Sequence, residues 1–448
     1  MRWLAAKEHV MNFLFNLGLI VVLAVFLFAW AMLPWQAVLV LAIAFALWMV
    51  LTRRGRQAAS VTMVGVSTIR QRLGSSSVVI IGIAGVVGVL VALLAMGDGY
   101  AETLRKTGSE DTAIVMRGGS ASEVMSVMDH DSVVVVPQAP GIARDGQGKP
   151  IASPEIVVAA NLPVKNGGPD DEGSVQLRGV GDEAWAVRPN LKIIAGRKFT
   201  PGMRELIVGQ GAQRQFAGLE PGHEVTLGDQ VWTVVGVFAS NDALDSEIWG
   251  DADTVASTYR RGSSRASVTV KLTNPQAYDG FKAALAADPR LKVDTDTTLD
   301  YFSKQSEGMS KVMRIMGITV GLIMAIGAVF GALNTMFAAV ASRAREIATL
   351  RAIGFRGVPV VVAIMLETML LALLGGLLGG LVAWMIFNGY TASTMAAGSV
   401  GQLSFAFKVS PELLWQGLKW ALAIGFVGGL FPAIRAARLP VTTALREL

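Results

Sequence analysis

Six apolar runs of 17 to 30 residues divide this chain, and a 216-residue stretch that cannot cross a membrane separates the third from the fourth. The runs are Val10–Leu33, Trp35–Leu51, Val78–Gly97, Ile315–Val340, Val358–Phe387 and Leu413–Phe431. Spanning ~30 Å of hydrocarbon takes roughly 20 apolar residues in a helix. The first two runs are separated by little more than Pro34 and are expected to form a hairpin. Val10–Leu33 follows Arg2 and Lys7, yet it is too long for a signal-peptide core and is followed by a second apolar run, so a retained span is expected.

The mean hydropathy of +0.50 averages two different materials. Residues 98–313 hold 29 of the 34 acidic residues and 22 of the 39 basic ones, a net charge of −7; the rest of the chain carries +12. The basic balance is therefore not a nucleic-acid signature, and no nucleic-acid partner is expected. It reflects Lys and Arg kept on one side of a bilayer. The N-terminal tail, residues 52–77, residues 341–357 and the C-terminal tail together hold 14 bases against 3 acids, which puts both termini in the cytoplasm. Residues 98–313 and the 388–412 loop then lie outside. The absence of cysteine means that the exported part folds without disulfides, as its size permits.

The 98–313 segment reads as a mixed α/β domain. Ser132–Pro137, Glu155–Ala160, Ser174–Val180, His223–Leu227, Val231–Phe238 and Ala266–Leu272 are β-branched runs bounded by Gly, Pro or Asp, and are expected strands. Ala277–Ala287 and Gly211–Ala217 carry helical spacing, and Lys165–Gly173 reads as a mobile loop. Asp98–Lys106 and Leu299–Arg314 are expected to prolong the flanking spans as a stalk. Lys408 and Lys419, near Trp415 and Trp420, read as anchors at the membrane interface.

Familiar catalytic chemistry is missing. His9, His130 and His223 have no His or Cys neighbour at metal-ligand spacing, so neither a metal nor a catalytic site is expected. No G-x-x-x-x-G-K-[ST] loop is present to cradle a nucleotide, and no G-x-S-x-G turn. The chain should not be an enzyme and should hold no cofactor of its own. Two features remain. One is the charged segment Ala341–Gly357 between two spans, with Arg343, Arg345, Arg351 and Arg356 around the single acid Glu346. The other is Glu367, the one acid deep inside a span, ~14 Å along its helix from Val358. Such an acid is either a proton or substrate contact, or a packing group that pairs with a neighbouring chain or snorkels to the surface.

Three stretches carry a family resemblance. Ser342–Gly354 (SRAREIATLRAIG), with Glu367 and the Gly375-Gly376-Leu-Leu-Gly379-Gly380 run behind it, resembles the R-x-x-E-I-[AG]-x-L-R-A-[IL]-G loop and trailing helix of MacB/FtsX/LolC-type permeases of ABC transporters. Gly429–Leu445 (GLFPAIRAARLPVTTAL) is similar to the family's final tail, and Gly209–Gly236 to its outside-domain core. The likeness covers roughly residues 60–448.

The resemblance implies the type VII, or mechanotransmission, architecture: a polytopic α-helical membrane protein with a four-span core and a large mixed α/β extracytoplasmic domain, to which this chain adds an N-terminal two-span hairpin. The expected segments are 1–56 (hairpin), 57–97 (a cytoplasmic-face helix and the first core span), 98–313 (the MacB-like domain with its stalk) and 314–448 (the FtsX-like three-span permease domain). Implied partners are a cytosolic ABC ATPase that holds the ATP and Mg, a second permease copy or related permease, a periplasmic adaptor or carrier, and membrane lipids, all at the bacterial inner membrane. Arg343, Arg345, Glu346, Arg351 and Gly354 fall where the family places the helix that docks on the ATPase. Export or extraction of a substrate at the outer face is the implied function. A signalling transducer acting on a cell-envelope enzyme is the alternative within the family, and a membrane-anchored binding or sensor protein the alternative outside it.

Overall fold

The computed structural model describes residues 25–26, 29–67, 73–165, 167–168, 171–395 and 401–438. Four described helices are long and apolar enough to cross a membrane: α3 (Leu73–Thr107), α9 (Thr298–Ser342), α11 (Gly357–Phe387) and α12 (Pro411–Arg438). They contain four of the six apolar runs. The second run is α1 (Trp35–Leu51), bent by 99° from the helix that follows it, α2 (Arg53–Ser67). The first run lies mostly outside the described residues, as does His9.

The chain divides into two compact units, one of residues 1–95, 314–388 and 409–448, the other of 96–313 and 389–408. In the first, glycine sets the helix spacing. A Cβ at Gly375 would lie 2.9 Å from the Ile80 carbonyl oxygen on α3, and Gly379 backs onto Ala84 of the same helix. Their neighbours Gly376 and Gly380 face α12, where a Cβ would lie 2.8 Å from Ala421 and 3.3 Å from Leu414. The GGLLGG run thus lets α11 approach two helices at once, the close packing that small residues allow where lipid gives no hydrophobic drive.

Lys419 turns into the protein, toward the N-terminal segment. It is 9% exposed, and its Nζ donates to the carbonyls of Ala31 (2.5 Å) and Leu33 (3.3 Å), while Trp30 Nε1 donates to the Lys419 carbonyl at 3.0 Å. Residues 29–32 are helical and Pro34 follows, so these carbonyls have no helical donor, and an ammonium is a good substitute. This holds the N-terminal segment against α12.

The second unit is built on a ten-stranded mixed sheet. Its strands are β1 (Thr112–Arg117), β2 (Ala152–Pro163), β3 (Glu172–Val180), β4 (Lys192–Gly196), β5 (Glu205–Gly209), β6 (Glu224–Leu227), β7 (Gln230–Ala239), β8 (Glu247–Asp251), β9 (Ser267–Lys271) and β10 (Val293–Thr297). They lie in the order β10-β1-β9-β2-β3-β8-β5-β7-β4, with β6 also on β7. Its helices after α4 (His130–Val135) are α5 (Glu183–Val187), α6 (Gln210–Gln215), α7 (Ala252–Thr258) and α8 (Ala277–Ala287).

Ser132–Pro137 is not a strand. It falls in α4 (His130–Val135) and the 3-10 turn Val136–Gln138. Asp129 accepts from the Ser132 amide at 2.8 Å and caps the helix, while Val133 and Val136, three apart, are buried and Val134 is exposed. The cap and the core below overrule the β-branched propensity. The 388–412 loop also has structure: β11 (Thr391–Met395) pairs with β12 (Gln402–Ala406), and Phe405 packs edge-on against Tyr100. Residues 389–408 therefore fold with residues 96–313.

Candidate functional site

The charged segment between α9 and α11 folds as a nine-residue helix, α10 (Ala344–Ala352). Glu346 lies in its first turn and Arg351 in its last, each favoured there by the helix dipole. Gly354 stops it. With φ at +105°, it lets its own amide reach the Arg351 carbonyl (3.2 Å) and the Phe355 amide reach the Leu350 carbonyl (3.1 Å), a Schellman closure.

One face of α10 is pinned. Ile347 is buried with Met336 and Val340 of α9, Val360 and Ile364 of α11, and Ala433 and Ala436 of α12. The other face presents Arg345, Glu346, Thr349 and Ala352, followed by Ile353, which is 68% exposed. Arg343 departs from the pattern. Its side chain turns inward, where Nη1 donates to Glu367 Oε2 at 2.9 Å and Nε to Glu346 Oε2 at 3.2 Å. Glu367 is thus paired within its own chain, with 10% of its side chain exposed.

Gly65 of α2 completes the pair's surroundings, since a Cβ there would lie 3.3 Å from Glu367 Oε2. Beside the pair is a cavity of about 410 Å³ walled by Val61, Met336, Ile347, Val360 and Ile364. The sequence reading named Arg343, Glu346 and Glu367 separately. It missed their connection and the part played by α2, because the ion pair joins residues 24 apart, Arg343 at the cap of α10 and Glu367 within α11. No group of three or more metal-ligating side chains occurs among the described residues.

Two family models match this chain. Residues 76–288 match the model of the MacB-like periplasmic core domain, and residues 318–441 match that of the FtsX-like permease C-terminal region. The chain belongs to the MacB/FtsX-type permeases of ABC transporters. The FtsX-like match takes in α10, Glu367 and the glycine run.

Among its relatives is the macrolide export ATP-binding/permease protein MacB of Photorhabdus laumondii, 26% identical over 397 residues. That alignment takes in 82% of this chain and 57% of the relative, so the chain spans little more than half of that protein's length. The ABC transporter permease YknZ of Bacillus subtilis is 24% identical over 307 residues, 65% of this chain and 75% of YknZ. Among solved structures, the periplasmic region of MacB from Actinobacillus actinomycetemcomitans superposes with a TM-score of 0.33 at 18% identity, covering 44% of this chain and 92% of that one. As a MacB/FtsX-type permease with four apolar helices, the chain is a multi-pass protein of the bacterial cytoplasmic membrane.

Proposed function

We propose that this chain is a permease subunit that α10 couples to a separate cytosolic ABC ATPase, and that it drives export or extraction of a substrate at the outer face of the membrane. ATP and Mg belong to that ATPase. Both termini and α10 are cytoplasmic, and residues 98–313 extracytoplasmic, in keeping with the 14-to-3 excess of bases in the inward segments. The observation that carries this reading is the two-faced construction of α10. Its outer face offers Arg345, Glu346 and an exposed Ile353, while its inner face is fixed to three spans by Ile347 and tied to α11 through Arg343–Glu367. A segment built in this way takes a push from a docked protein and passes it to the spans. The helices α3 and α9 each run unbroken from an apolar span into residues of the sheet unit, a continuous path for that displacement.

A second permease copy also fits the structure. The α9 face with Ile323, Ile326 and Phe330 exposed carries Gly327 and Gly331, and a Cβ at either glycine would meet nothing within 4 Å. An adaptor or carrier protein outside the membrane would receive the cargo.

The test is co-purification. Glu346→Ala with Arg351→Ala should reduce recovery of the ATPase at least tenfold while membrane insertion stays unchanged. Undiminished recovery of the ATPase would remove α10 as its seat. Failure of the unsubstituted chain to recover any ATPase would favour the sensor reading.

A further inference from the structure

Strand β2 alone joins two half-sheets. Its Ala152–Glu155 segment pairs with β9, and Ile156–Pro163 pairs with β3. On the β9 side, Val115, Val268, Val270 and Phe281 of α8 form one core. On the β3 side, Ile156, Leu177, Val208 and Trp232 belong to another. The two cores have no residue in common, and the sheet's backbone ladder passes from one half to the other between Glu155 and Ile156.

Arg178 sits at that crossing, 1% exposed. Its Nε donates to Glu247 Oε2 at 2.7 Å. Its Nη1 donates to Glu123 Oε1 (2.9 Å) and Glu155 Oε2 (2.7 Å), and its Nη2 to Glu123 Oε2 (3.0 Å) and Glu247 Oε1 (2.9 Å). These bonds use all five guanidinium donors. The three carboxylates come from different places. Glu247 opens β8 in the β3 half, Glu155 lies on β2 at the crossing, and Glu123 comes from the 3-10 turn Glu123–Met125, where Ser267 of β9 also donates to it at 2.7 Å. Arg188 holds Glu155 from the other side through two further bonds, at 2.5 and 2.9 Å. The Glu123 amide donates to the Tyr301 hydroxyl at 3.2 Å, which brings in the first turn of α9. Burial pushes the Glu155 carboxyl up, but Arg188 and Arg178 outweigh it and hold it below its ordinary value.

Apolar burial is non-directional. Forked guanidinium–carboxylate bonds fix both distance and angle. A buried ion cluster is a poor device for stability alone, since apolar residues of the same volume often do as well. We propose that Arg178 with Glu123, Glu155 and Glu247 is the joint that sets the angle between the two half-sheets and ties both to the domain end of α9, so that the unit moves as one lever. A cleft of about 210 Å³ next to the joint, bordered by Thr269 and Lys271 on one side and by Arg188 and Asp242 on the other, is the space whose width this angle governs. The inference goes beyond the transport reading and stands without it.

The chain has no cysteine, so two labels can be placed without background. Spin labels at Lys282→Cys on α8 and Glu224→Cys on β6, both exposed positions, report the distance between the halves in the full-length protein in nanodiscs. The expected result is one narrow distance distribution in the parent and a distribution at least twice as wide in Arg178→Met. The neutral variant Arg178→Met, Arg188→Met, Glu123→Gln, Glu155→Gln, Glu247→Gln removes both guanidinium groups together with the carboxylates they hold, so that no partner charge is stranded, and it should be broadened as well. A parent-like width in either folded variant overturns the joint. Unfolding of both variants also overturns it, in favour of a plain core role.

Discussion

Arg343 reaches back from the start of α10 to Glu367 on α11, with Nη1 2.9 Å from Oε2, and both side chains are nearly closed off from solvent. Each charge is tolerated at that depth because the other is present. Glu367→Ala should therefore cost about 3–5 kcal/mol, the usual cost of stranding one partner of a buried pair. Arg343→Met with Glu367→Met should recover most of that loss, because no charge is left stranded. Thermal unfolding in a single detergent reads both, and a loss of less than ~1 kcal/mol in Glu367→Ala would contradict the pairing.

The clamp between Lys419 and the N-terminal segment can be read by crosslinking. Phe26 and Phe426 pack with ring centroids 5.1 Å apart, so Phe26→Cys with Phe426→Cys should crosslink efficiently in a chain otherwise free of cysteine. Adding Lys419→Met removes the donor to Ala31 and Leu33, and crosslinking should fall severalfold. An unchanged yield would mean that the segment stays in place without the Lys419 clamp.

Self-association should depend on the open glycine face of α9. Gly327→Ile with Gly331→Ile places branched side chains where close helix approach needs none. The dimer fraction, read by energy transfer between labelled copies in lipid, is expected to fall about tenfold while monomer stability is retained. A dimer that tolerates both substitutions uses another face.

Asp242 predicts a pH dependence outside the membrane. Burial pushes its carboxyl up to about 6; the Ser240 hydroxyl and the Leu244 amide oppose this, and Asp245 and Glu247 add to it. The folded state thus binds a proton more tightly than the unfolded chain, whose Asp titrates near 3.9. Between about pH 4 and 6 the folded state holds more protons, so stability from this residue falls as pH rises through that window and is fully present below it. Asp242→Asn keeps a side-chain acceptor and removes the ionisation. Its unfolding midpoint should exceed the parent's at pH 7.5 and match it near pH 4; equal midpoints at both pH values would refute the assignment.

Much of the fold was legible because membrane spans and long alternating strands carry strong periodic signals. The α11 and α12 helices begin within two residues of the expected runs, and β2, β3, β6, β7 and β9 coincide with expected strands. The strands that escaped notice, β1, β5 and β8 among them, are five or six residues long and mostly buried on both faces, so they lack the alternation that marks a half-exposed strand. The α4 helix was misread because four consecutive valines speak for a strand, while the deciding contact, the Asp129 cap, lies just before them. The 389–408 hairpin was missed because its two strands are held by the rest of the second unit as well as by each other: the Ser404 amide donates to Ser246 Oγ at 2.9 Å.

The candidate site divides in the same way. The helix, its glycine stop and its outward charges follow from local rules of capping and dipole, and the residues that obey them are neighbours in the chain. The partners of Arg343 and Lys419, and the five bonds around Arg178, join residues between 3 and 388 positions apart. A buried charge is defined by what surrounds it, and for most of these groups that comes from other helices and strands. The amino-acid sequence by itself determined which segments enter the membrane and which segment lies exposed between two spans. Only the tertiary structure decided that Arg343 faces inward while Arg345 and Glu346 face out, and that Glu367 answers to Arg343.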